Sequence, residues 1–125
     1  MSTSFLYHAF GLTGYEYVHQ KFEGGSVVFR IRPKWRLLRC PSCKSRQVVR
    51  RGVYLRKLRT VPIGCKPVWV VVEVPRVCCA VCGCIRRIHL GIAEANRSYT
   101  RIFARFALAL TKVMTLKDVA LFLGV

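Results

Sequence analysis

Cys40-Pro41-Ser42-Cys43 and Cys79-Ala80-Val81-Cys82-Gly83 decide how this chain is read. Each stretch holds two cysteines with two residues between them, a spacing that lets one tight turn aim both sulfurs at one tetrahedral metal. Two such turns complete a four-thiolate shell, for which zinc is the default ion. Cys40, Cys43, Cys79 and Cys82 are therefore the candidate ligands. The 35 residues between Cys43 and Cys79 exceed the commonest linker between such turns. An intervening pair of strands would close the gap, and that is the plan of a zinc ribbon.

Disulfides explain the cysteines less well. Seven is an odd count, and no signal peptide marks an oxidising destination, because Met1-Ser2-Thr3-Ser4 lacks a charged leader. Cys65, Cys78 and Cys84 fit the turn spacing poorly and read as small apolar residues. Cys84 remains open as a substitute ligand. His8, His19 and His89 read as packed or surface imidazoles, with His19 and His89 available should a thiol be displaced.

With 125 residues the chain has room for one compact domain or two very small ones. A small ribbon buries little apolar surface, so a structural metal would supply much of its folding free energy. Lys and Arg number 22 against five acids. This surplus points to a polyanionic partner. No apolar run reaches the ~18 residues of a membrane span, so the chain reads as soluble and cytoplasmic with no membrane partner.

Charge placement is more specific than charge total. From Glu23 to Glu73 no carboxylate intervenes, while thirteen Lys and Arg residues from Arg30 to Lys66 do. A merely solubilising surface mixes signs, whereas phosphate binding does not need it to. Arg50, Arg51, Arg56, Lys57 and Arg59, on the strand after the first cysteine turn, are the candidate phosphate contacts.

The expected fold class is α+β: a small antiparallel zinc ribbon, preceded by a short helix and hairpin and followed by a helical tail. Ser4 can cap a helix over Phe5–Phe10 that Gly11 and Gly14 stop. Tyr15 to Arg32 read as a hairpin turning at Glu23-Gly24-Gly25-Ser26 and ending at Pro33. Trp35 reads as a core or strand-end residue ahead of a base-stacking one. Gln47 to Arg59 are strand-like with a break at Gly52, Val61 to Gly64 a connection, and Val68 to Val74 the best strand, ending near Pro75. Arg86 to Leu90 supply a last short strand. The units divide as 1–33, 34–91 and 97–125.

Helical spacing starts near Thr100. Ile102, Phe103, Phe106, Ala107, Leu110, Val113 and Met114 form one stripe. Thr115 begins a second helix by accepting from the backbone near Asp118, and Leu116, Val119, Ala120 and Leu123 form its buried face. Ala120 and Gly124 have the spacing of a helix-turn-helix, in which the glycine takes positive φ.

Taken together, these blocks resemble the N-terminal region of transposases of the ISL-three insertion-sequence family. The resemblance runs through Leu6-Tyr7-His8-Ala9-Phe10-Gly11, Cys40-Pro41-Ser42-Cys43, Arg59-Thr60-Val61-Pro62-Ile63-Gly64, Val74 to Gly83, and Thr115 to Val125. It implies zinc on Cys40, Cys43, Cys79 and Cys82, a bacterial-type protein, and recognition of transposon terminal repeats in double-stranded DNA during DNA transposition. Family members continue through the helix-turn-helix into a catalytic domain with three carboxylates. Here Glu16, Glu23, Glu73, Glu94 and Asp118 are scattered, so the expectation is a truncated, non-catalytic DNA-binding module. A homo-oligomer or a separate catalytic chain would complete it. An RNA-binding zinc ribbon and a protein-interaction adaptor are the alternatives. Catalytic zinc is disfavoured, because four thiolates leave no open coordination position.

Overall fold

The computed structural model describes residues 3–125, and for Thr3 and Ser4 the backbone alone; the expected Ser4 cap lies outside the described side chains. In chain order the elements are α1 (Thr3–Phe10), β1 (Tyr15–Glu23), β2 (Ser26–Pro33), a 3-10 turn (Trp35–Leu37), β3 (Val48–Ile63), β4 (Lys66–Cys79), β5 (Ile85–Arg87), α2 (Arg101–Leu110) and α3 (Leu116–Leu123). The class is α+β, as the residue patterns suggest.

The sheet is mixed rather than wholly antiparallel. Its order is β1-β2-β4-β3, with β5 also on β4. β1 and β2 form the expected hairpin, Glu23 opposite Ser26. β2 then runs parallel to β4, from Val27 opposite Val68 to Ile31 opposite Val72. Further along the same edge, β5 pairs antiparallel with Arg76 to Cys78. One edge of β4 is thus shared by two short strands, while β3 covers the other along its length.

This central position explains the β4 sequence. Val68, Val70, Val72 and Val74 are buried on one face, with Val27, Phe29, Ile31 and Leu58 beside them. Leu6 and Phe10 of α1, Leu12, Leu90 and Ala93 close over that face. Each of these large side chains contributes on the order of 1.5–3 kcal/mol by leaving water. The opposite face carries Trp69, Val71 and Glu73, all half-buried.

Two strand limits differ from expectation. β4 continues through Pro75 to Cys79: Pro75 pairs with Val53 at the end of a bulge in β3 between Arg50 and Val53, the kind of irregular pairing beside which a strand tolerates a residue without a donor. Gly52, at φ 119°, supplies the backbone freedom for that bulge. At the other end, Val61 to Ile63 belong to β3, and the turn is Gly64-Cys65.

The tail docks on the free edge of β3. Arg59 N–H donates to Ser98 O and Thr100 N–H to Arg59 O, a parallel bridge between Arg59 and Tyr99 that covers an otherwise open edge. Thr100 then caps α2 by accepting from Phe103 N, and Thr115 caps α3 by accepting from Asp118 N. Phe103, Val119 and Leu123 are the buried contact between the helices. Leu116 and Val113 do not join it: they are 77% and 81% exposed. Phe106, Ala107, Leu110 and Met114 pack against this contact, while Val113 in the turn between the helices and Leu116 at the start of α3 point away from it. Gly124 ends α3 at φ 71°.

Candidate metal centre and its basic surroundings

The long β3–β4 hairpin converts sequence distance into proximity. Val48, five residues past Cys43, pairs with Cys79, and Ala80 N–H donates to Gln47 O. The two cysteine turns therefore lie side by side at the base of the hairpin. Their backbones repeat the same bonds: Cys40 N–H to Ser45 O and Lys44 N–H to Cys40 O in one, Cys79 N–H to Cys84 O and Gly83 N–H to Cys79 O in the other.

The Sγ atoms of Cys40, Cys43, Cys79 and Cys82 all lie within 4.8 Å of one another. Cys40 and Cys82 are 3.5 Å apart and Cys43 and Cys79 3.4 Å. A tetrahedral ion with Zn–S near 2.3 Å places its sulfurs about 3.8 Å apart, so the cluster has the right size. These separations exceed the ~2.05 Å of a disulfide, and all seven cysteines are free. The first cysteine of each turn is buried and the second exposed.

Backbone amides prepare the site for charge. Cys82 and Val81 N–H groups reach Cys79 Sγ at 3.4 and 3.3 Å, and with the neighbouring sulfurs they lower the Cys79 thiol to about 6. The Cys43 amide, followed by that of Ser42, lowers Cys40 in the same way. Cys82 is also drawn down by the Cys84 amide, but the Cys40 sulfur, desolvation and the Cys79 sulfur win and push it up to about 12. Cys43 is raised despite the Ser45 amide, chiefly by the Cys79 sulfur. Without a cation the thiols divide into two kinds, Cys40 and Cys79 drawn down by amide contacts and Cys43 and Cys82 pushed up by their neighbours. A dication stabilises all four as thiolates.

Cys65, Cys78 and Cys84 stand outside the cluster. Cys65 is exposed at the hairpin tip rather than packed, while Cys78 and Cys84 are half-buried. His8, His19 and His89 are exposed, and none joins the thiol group. Trp35 is 48% exposed, not core, and the Arg50 guanidinium lies 5.4 Å from its ring centroid.

The five basic residues selected on β3 occupy two kinds of environment. Arg50, Arg51 and Lys57 are exposed, with Lys57 Nζ 4.7 Å from the Trp69 ring centroid. Arg56 donates to the carbonyls of Glu94 and Arg97. Arg59 is only 8% exposed. It lies against the Trp69 and Phe103 rings and donates from Nη2 to Leu123 O, while its Nε has no partner among the described residues. Burial draws its pKa below the ordinary guanidinium value. The residue type alone gave no sign of this, because an arginine in a basic run looks the same whether solvated or enclosed.

The glutamates are engaged elsewhere. Glu16 pairs with Arg32, Glu23 with Lys21, Glu73 with Arg30 and Glu94 with Arg101. Among the described residues, the cysteine cluster is the one group of three or more His, Cys, Asp or Glu side chains suited to a metal.

Two antiparallel strands carrying paired cysteine turns to one point define a zinc ribbon. Residues 36–82, which hold both turns and the whole hairpin, match the family described as the zinc-finger of transposase IS204/IS1001/IS1096/IS1165. No curated protein and no solved structure matches the chain. The family match and the four-thiol cluster identify the ion as Zn2+, and this segment as a zinc-binding ribbon of the transposase type. No helix among the described residues is long and apolar enough to cross a membrane.

Proposed function

We propose that the chain is a zinc-dependent module that binds double-stranded DNA for a transposase of the ISL-three type, engaging the terminal repeats of the mobile element. Cys40, Cys43, Cys79 and Cys82 are its zinc ligands. The observation that carries the reading is the convergence of these thiols at the base of a hairpin whose strand β3 presents Arg50, Arg51 and Lys57 to solvent, within a segment matching a transposase zinc-finger. Zinc fixes the base of the hairpin, and the cations contact phosphates, giving affinity and register without reading sequence.

Arg56 and Arg59 act in this reading by holding the tail against β3 through main-chain carbonyls. The α2–α3 pair, with Ala120 and the left-handed Gly124, is the first part of a helix-turn-helix, and base readout belongs to a recognition helix. Strand transfer chemistry belongs to a catalytic domain or a separate chain, since the glutamates here serve ion pairs. The exposed Leu108, Leu121 and Phe122 of the tail are where such a chain or a second copy docks.

The experiment is a binding titration of zinc-loaded protein with duplex DNA and with structured RNA as competitor. Duplex binding whose log K falls steeply with log[salt] supports the proposal. A flat salt response, or preference for the RNA competitor, overturns it.

A further inference from the structure

A second basic surface lies away from the exposed β3 cations, on the side of the sheet that the segment after β5 covers. Two neighbouring cavities there share Ile88 and His89. The larger, about 360 Å³, is lined by Tyr54, Arg56, Arg87, His89 and Asn96 among others. The smaller, about 200 Å³, runs to the first cysteine turn and adds Arg39 and Lys44. Neither has a carboxylate in its lining. By contrast, the cavity beside Arg32 and Arg50 is also lined by Glu16 and Glu73, which already take up Arg32 and Arg30 in ion pairs.

We infer that these cavities form one groove, from Lys44 and Arg39 past His89 to Arg87 and Asn96, that binds the phosphodiester backbone of DNA. This rests on the DNA-binding reading above and adds to the β3 cations a second surface that contacts phosphates. Arg87 is the central contact. Its guanidinium carbon lies 3.8 Å from the Tyr54 ring centroid, a stacking that fixes the plane of the cation before any ligand arrives. No protein acceptor meets its N–H groups among the described residues, so its planar fork is open to phosphate oxygens. Arg56 forms the groove wall by donating to Glu94 and Arg97 carbonyls. Asn96 and His89 add side-chain N–H donors suited to phosphate oxygens. The groove begins at the first cysteine turn, so zinc fixes the position of Lys44 relative to Arg87.

The test measures anisotropy of a labelled duplex of arbitrary sequence against the zinc-loaded 125-residue chain over a range of KCl concentrations. Arg87→Gln is expected to lower the magnitude of the log K against log[KCl] slope by about 0.9, the loss of one phosphate contact. Arg39→Gln, at the other end of the groove, is expected to do the same, and both should hold a full complement of zinc. Lys66→Gln, at the distant hairpin tip, should leave the slope unchanged. Should Arg87→Gln lose its zinc, Arg39→Gln decides. Unchanged slopes in well-folded groove variants, with wild-type DNA binding intact, overturn the groove and leave the DNA-binding proposal standing. Equal loss in Lys66→Gln also overturns the groove, because the effect is then one of net charge. Absence of wild-type DNA binding removes both proposals.

Discussion

Lys44 and Gly83 hold the same left-handed backbone conformation, φ 65° and 74°, at the same place in the two cysteine turns. Each follows the second cysteine, and each donates its N–H to the carbonyl of the first, at 3.0 Å in both cases. Gly83 adopts this conformation freely, but Lys44 places a Cβ where L-residues are disfavoured. Lys44→Gly should therefore raise the stability of the zinc-loaded protein modestly, by about 1 kcal/mol or less once the added freedom of the unfolded chain is counted. Gly83→Ala should lower it by about 1 kcal/mol or more, although no atom crowds the added methyl. Paired calorimetric scans check both signs.

Zinc removal should uncouple the base of the hairpin. A strong chelator is expected to abolish the cooperative unfolding transition or lower it sharply, because structural zinc contributes folding free energy directly. Alkylation followed by mass mapping should then find the exposed Cys43 and Cys82 modified before protection from hydrogen exchange in β4 is lost. A chelator-treated protein with an unchanged transition would contradict this.

Acid should release the ion. The Cys79 thiol, at about 6, lies below the usual thiol range because amides stabilise its charged form. Its thiolate is thus available above that value and is lost as pH falls through it. Zinc retention is expected to fall as the pH is lowered into the acid range, with protons displacing the metal from its thiolates. A chromophoric zinc indicator follows the release.

Tyr15 should leave an alkaline signature. Its burial raises the phenol from 10.0 to about 12, so the folded protein keeps the proton that the unfolded chain loses. The associated stability is complete below pH 10 and declines as pH rises toward 12. Tyr15→Phe should flatten that part of the curve relative to wild type, measured by denaturant midpoints at successive pH values.

Arg59 should prove structural. Its contacts with Trp69, Phe103 and the Leu123 carbonyl tie α3 to the ribbon. Arg59→Met is expected to cost about 2 kcal/mol, the range for a charged hydrogen bond with its ring contacts. Amide exchange should accelerate in α2 and α3 while zinc content is unchanged. Loss of zinc in this variant would refute the assignment.

The parts legible in the sequence share one property: their signal lies within a few residues. The two-residue cysteine spacing, the Gly24-Gly25 turn and the Thr115 cap each act through bonds inside one turn, so the residue types alone specify them. The parts that were not legible depend on what lies across space. A proline marked the end of β4 until a bulge in β3 accommodated it, and Leu116 kept a helical phase with no partner to bury it.

By itself the sequence determined the four thiols, the basic hairpin between them and the positions of the helices, because chain connectivity and side-chain chemistry suffice for each. Only the tertiary structure decided that β2 would lie parallel to β4, that Arg59 would be enclosed while Lys57 stayed in solvent, and that Lys44 and Arg87 would line neighbouring cavities without a carboxylate. Pairing and burial are set by which surfaces meet, and residues far apart in the chain carry no local mark of the partner they will find.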